Sequence, residues 1–182
     1  HRDLHSFPTR RSSDLFLAQN FFPVASDRSR QDGGLGLLLL GDGQGGFRPL
    51  PALESGVRIM GEQRACAVAD FDADGRLDLA VGQHRGLTRL FHNRSAQPAL
   101  RVRLRGPGGN LDVVGTQLAA MISETRKGLV REVRSGAGYW SQDSAVVLVP
   151  SPNPVRRLWV RWPRGKEITV AVSEGAREIL LT

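Results

Sequence analysis

The stretch "DFDADGRLDLAV", Asp70 to Val81, sets a carboxylate at every second position, Asp70, Asp72 and Asp74, followed by Gly75 and then a fourth acid, Asp78. A hard cation such as calcium takes six to eight oxygens, and a tight loop supplies them as alternating carboxylates plus a main-chain carbonyl, with glycine where the chain turns. Asp70, Asp72, Asp74, Arg76 through its carbonyl, and Asp78 fall at positions 1, 3, 5, 7 and 9 of such a loop. Position 12, where a helix-loop-helix calcium hand needs a bidentate Glu, is Val81. The flanks "RACAVADF" and "LDLAVGQ" alternate as strands do. The spacing therefore predicts a strand-loop-strand site for Ca2+ with a structural role. The competing reading is a solvated acidic turn, against which stands the mutual repulsion of four carboxylates in nine residues. Catalysis by paired carboxylates has less support, because no nucleophile, base or cleft-forming element accompanies them.

Outward from this loop the pattern is β throughout. Of 182 residues 21 are glycine, against a norm of roughly 7%, and aromatics are 6%. From Phe16 to about Asn93, short apolar runs are punctuated by glycine turns: "FLAQNF", the hairpin "GLGLLLLGDGQGGFRPL", then "RACAVADF", "LDLAVGQ" and "LTRLFHN". A strand-turn-strand unit recurring at such intervals predicts β-propeller blades. After the polar linker "NRSAQPA" the style changes. "LRVRLRG" and "VRRLWVRWPRG" place Val102 and Leu104, then Leu158, Val160 and Trp162, on one face and arginines on the other. With "GTQLAAMI", "GLVREVRSGAGYW", "SAVVLVP", "KEITVAV" and "REILLT", this makes about seven short strands, a small sandwich or barrel.

Residues 1–15, "HRDLHSFPTRRSSDL", show no hydrophobic period and no signal-peptide core. They look like one translated frame of a DNA-sequencing adapter, and are expected to be a disordered artefact joined to the C-terminal fragment of a longer chain. A native signal peptide and further propeller blades would then be missing from the N-terminus. Three domains are expected: the adapter at 1–15, a blade segment at 16–97 and a β-domain at 98–182.

The net charge of +7 invites a polyanion or nucleic-acid reading. Setting aside the three Arg and two Asp of residues 1–15 leaves +6. Arg157, Trp159 and Arg161 share one strand face, and such a face is more commonly solvated than a binding groove, so nucleic acid is not favoured. Cys66, the single cysteine, excludes an internal disulfide framework and multi-cysteine metal sites, and reads as a small core residue. His84 and His92 read as exposed strand or turn residues. Ser135, Tyr139 and Ser141 in "RSGAGYWSQ" lack the order of a nucleophile elbow and a histidine partner. "GDGQGG" lacks the lysine and helix of a phosphate loop and reads as a turn, whose lone Asp42 makes no second cation site. No run approaches the roughly 18 apolar residues of a membrane span.

"ADFDADGRLDLAVGQ" and "LLLLGDGQGGFRPL" resemble the FG-GAP or VCBS-type repeat of integrin α-subunit propellers and bacterial surface proteins. "VREVRSGAGYWSQ", "LWVRWPRGK" and "NRSAQPALRVRLRG" are similar to the ASPIC/UnbV domain, which follows such repeats in the cartilage acidic protein 1 family and its bacterial relatives. "VVGTQLAAM" departs from that domain at Thr116, where a small residue is usual. The resemblance implies an all-β protein, one to two FG-GAP-like blades of a partial propeller followed by a sandwich- or barrel-like ASPIC/UnbV domain, with calcium on the acidic loop. The leading functional reading is a secreted or cell-envelope module, not an enzyme, acting in adhesion or in protein or glycan contact. Polyanion or nucleic-acid binding and an uncharacterised hydrolase are the alternatives.

Overall fold

The computed structural model describes residues 2–4, 14–20, 27, 29, 34–136 and 142–182. In the N-terminal half the strands are β1 (Arg2–Leu4), β2 (Leu15–Leu17), β3 (Leu37–Gly41), β4 (Phe47–Leu50), β5 (Gln63–Ala69), β6 (Asp78–Gln83) and β7 (Arg89–Asn93), with one helical turn, α1 (Ala52–Ser55). They form two sheets, ordered β2-β3-β4 and β1-β7-β6-β5. Period-2 alternation sends Leu38 and Leu50 from the first sheet, and Leu79, Val81 and Phe91 from the second, into one core closed by Val57 and Ile59. Cys66 packs at the margin of this core, and burial pushes its thiol pKa up.

The C-terminal half holds β8 (Leu100–Leu104), β9 (Gln117–Ala120), β10 (Arg131–Glu132), β11 (Val147–Val149), β12 (Arg157–Arg161), β13 (Glu167–Ala171) and β14 (Glu178–Leu181). Its sheets run β11-β8-β14 and β10-β9-β12-β13. They face each other across Val102, Leu118, Val149, Leu158 and Val160, so the architecture is a small β-sandwich, and no barrel closes among the described residues. The whole chain is all-β, as its glycine-punctuated alternation implies. One pairing has no local signature: β14 runs parallel to β8, joining the last strand of the sandwich to its first.

Within residues 1–15 the described positions are Arg2–Leu4, Asp14 and Leu15: β1 pairs in parallel with β7, Leu15 begins β2, and Asp14 accepts a hydrogen bond from the Gly41 N–H at 3.1 Å. The rest of that stretch lies outside the described residues. The arginines of β8 do not all face solvent, since Arg101 is 5% exposed. The strand expected over "GLVREVRSGAGYW" is observed at Arg131–Glu132, and 137–141, with Tyr139 and Ser141, lie outside the described residues.

Candidate functional site: the acidic loop and its anchor

β5 and β6 pair antiparallel up to Ala69 opposite Asp78, and the acidic residues fill the loop between. The sequence shapes that loop through its own carboxylates. Asp70 accepts the Asp74 N–H at 3.0 Å on Oδ1 and the Gly75 N–H at 2.9 Å on Oδ2. Asp72 Oδ1 accepts the Asp74 N–H at 3.2 Å, and Asp74 Oδ1 accepts the Arg76 N–H at 2.8 Å. Each bond folds a peptide back over the carboxylate before it, the usual action of Asp in turns. Gly75 takes φ +86°, and a Cβ there would lie 3.0 Å from the Ala99 carbonyl and 3.2 Å from Pro98. Glycine is required on both counts.

Asp78, 1% exposed, closes the loop from below. Its Oδ1 accepts the Asn93 N–H at 2.7 Å and its Oδ2 the Phe71 N–H at 3.2 Å. Burial pushes its pKa up, opposed by those two N–H groups and by His92. His92 is not the exposed strand residue expected. The side chain is 22% exposed, with Nε2 2.8 Å from Asp72 Oδ2 and 3.6 Å from Asp74 Oδ2. That nitrogen is buried and its approach to the carboxylates lacks hydrogen-bond geometry, while the ring meets Phe71 edge-on at 5.6 Å. One signal in the sequence leads to it. In the β6–β7 hairpin Leu79 lies opposite Phe91, so their neighbours on the other face of the sheet, Asp78 and His92, fall side by side.

The four expected carboxylates fall into two overlapping groups, one of which His92 completes. Ligand atoms of Asp70, Asp72 and Asp78 lie within 4.8 Å of one another, and so do those of Asp72, Asp74 and His92. Arg76, expected through its carbonyl, acts here through its side chain: the guanidinium pairs with Asp74 and donates from Nε to the Ala96 carbonyl at 2.6 Å.

A residue that sequence reasoning placed at the surface completes the arrangement. Arg101 Nη1 pairs with Asp70 Oδ2, the two side chains 6% and 2% exposed, while its Nε donates to Glu178 Oε2 at 2.7 Å. Burial works to lower the Arg101 pKa, but hydrogen bonds to Glu178 and Asp70 hold it above its ordinary value. Glu178 also takes Arg103, and hydrogen bonds from both arginines hold its carboxyl below the usual range. The Ala99 N–H donates to the Gly75 carbonyl at 2.8 Å, so the loop is fastened to the sandwich by both backbone and charge. The other half-buried imidazole belongs to His84, away from this loop, whose backbone N–H donates to the Glu62 carbonyl at 2.7 Å. In the "GDGQGG" turn Asp42 Oδ1 clips the N–H groups of Gln44 and Gly46.

The fold and site define an all-β chain of two sheet pairs joined through an acidic loop. Residues 106–182 match the family model described as ASPIC and UnbV, so the C-terminal sandwich carries an ASPIC and UnbV domain. The match includes β9 to β14, while β8, which supplies Arg101 and Val102, shares the same core just ahead of it. No curated protein matches the chain.

Proposed function

We propose that the chain is a calcium-stabilised, non-enzymatic binding module of the cell envelope or exterior, its N-terminal sheets being one to two FG-GAP/VCBS-type blades. The observation that carries this is the convergence of Asp70, Asp72 and Asp78 oxygens within 4.8 Å on a loop between two antiparallel strands. Calcium–oxygen distances of about 2.3–2.6 Å put ligands on opposite sides of one ion about 4.6–5.2 Å apart, so a single ion fits among the three. The donor chemistry fits as well. All three offer hard carboxylate oxygens, and an oxygen that accepts one N–H retains a second lone pair. The four loop carboxylates against Arg76 and Arg101 leave two negative charges, the charge one divalent ion neutralises. Bound there, calcium would supply cross-linking of the loop. The residues themselves already set the turn.

Calcium titrated into the full chain should raise the thermal midpoint, and Asp72→Ala, which keeps the Asp70 and Asp78 scaffolding bonds, should abolish the rise. A midpoint indifferent to calcium in the parent sinks the reading.

Partners of such a module are proteins or glycans. The arginine face favours the polyanion alternative less than its composition does. Arg157 pairs with Glu124, Trp159 Nε1 donates to Glu167 at 2.9 Å, and Lys127 stacks 3.4 Å above the Trp159 ring. Much of that face is already engaged within the chain.

A further inference from the structure

Where the linker enters the sandwich, residues 95–100, 149–156 and 173–177 enclose a cleft of about 960 Å3. Its linker wall abuts the acidic loop, Arg76 Nε donating to the Ala96 carbonyl at 2.6 Å and the Ala99 N–H to the Gly75 carbonyl at 2.8 Å, but no loop carboxylate lines it, and it is of the size that takes drug-sized ligands and short peptides. Pro98, Pro150, Pro152 and Pro154 line it with rigid apolar rings. Pro152 and Pro154 carry no N–H, so that wall is richer in acceptors than donors, which suits the N–H groups of an extended chain. Arg156 and Arg177 also line the cleft, and neither guanidinium has an ion-pair or hydrogen-bond partner among the described residues. Both are anchored through the backbone: the Arg156 carbonyl accepts the Val172 N–H at 2.8 Å, and the Arg177 carbonyl the Arg101 N–H at 3.0 Å. With Glu174 beside them, the ionisable lining sums to +1. Among the described residues no aromatic lines the cleft, so a sugar ring finds no stacking surface there.

We propose that this cleft docks an extended acidic peptide segment of a partner protein, Arg156 and Arg177 taking its carboxylates and the prolines its aliphatic side chains. Fork-shaped guanidinium pairing supplies the orientation, and the preformed walls limit the ordering cost. The proposal shares with the reading above the premise of a binding module, but none of the contacts it invokes uses a carboxylate of the acidic loop.

The test is anisotropy of a labelled octapeptide of alternating Glu and Val against the full chain. Saturable binding is expected, weakened about tenfold or more by the double variant Arg156→Glu/Arg177→Glu, and likewise when Gln replaces Glu in the peptide. The equally charged control Arg161→Glu/Arg164→Glu should stay within about twofold of the parent, since its charges lie outside the cleft. Should the double variant unfold, Arg156→Gln/Arg177→Gln serves with the same expectation of loss. No saturation, equal weakening by cleft and control variants, or tighter binding of a heparin-derived oligosaccharide lost in the same cleft variant would each overturn the proposal. The calcium-dependent midpoint, read on the same samples, reports separately on the loop.

Discussion

At the scale of single residues, the acidic loop is held by stereochemistry as much as by charge. Ala73 at φ +64° and Gly75 at φ +86° both occupy the left-handed region, and Gly75 touches the linker as well. Gly75→Ala is therefore expected to cost about 1–3 kcal/mol, from the left-handed backbone and the push on the Ala99 carbonyl, read as a lower denaturant midpoint. Ala73→Gly relieves only the backbone term and should stabilise by up to about 1 kcal/mol in the same measurement. The need for Gly75 was legible in the sequence, because a glycine after three alternating acids marks the turn of a cation loop. His92 was legible only through the register of a hairpin that had itself first to be inferred, so it was read in isolation and placed at the surface. Arg101 was hidden more deeply. Alternation in "LRVRLRG" sends it away from the sandwich core correctly, yet that opposite face meets Asp70, 31 residues back in the chain, instead of water.

At the scale of elements, β8 joins the two halves. It sits centrally between β11 and β14, and its Arg101 reaches the β5–β6 loop while Arg101 and Arg103 clasp Glu178 on β14. The Glu178 carboxyl is held below its ordinary value of 4.5 by its hydrogen bonds to Arg101 and Arg103. A depressed carboxyl contributes stability that is present above the unfolded pKa and lost as pH falls through the folded one. The difference in stability between the parent and Glu178→Gln should therefore be largest above about pH 5 and shrink steadily as pH falls below the unfolded value. Chemical denaturation of both proteins from about pH 6 to about pH 3 checks this, and a difference independent of pH would show that the clasp contributes nothing through charge. The strands themselves were readable from period-2 alternation: Leu158 and Val160 face the core, and Trp162 packs against it. The parallel pairing of β14 with β8 was not, because neither strand carries a mark of the direction in which its distant neighbour runs.

At the scale of the molecule, two small cores meet, among the described residues, at a handful of bonds, so their cooperation depends on those bonds. Besides the Asp70–Arg101 pair and the Gly75–Ala99 hydrogen bond, Val68 on β5 donates its N–H to Asp143 Oδ1 at 2.9 Å and accepts the Ser144 N–H on its carbonyl at 3.2 Å. Removing one partner of a buried ion pair leaves a charge out of water without its counterion, at about 3–5 kcal/mol, and the two N–H bonds retained by Asp70 place Arg101→Met near the lower end. The loss falls at the junction rather than in either core. Calorimetry should accordingly show one transition in the parent, while in Arg101→Met the N-terminal sheets melt first and the transition broadens or divides. Calcium adds a second arm to the same experiment. With the guanidinium gone, Asp70 offers its full charge to an ion shared with Asp72 and Asp78, so calcium should raise the early transition of Arg101→Met by more than it raises the parent's midpoint. A variant whose two halves still melt together would place the coupling in the Val68 and Gly75 backbone bonds instead of in Arg101.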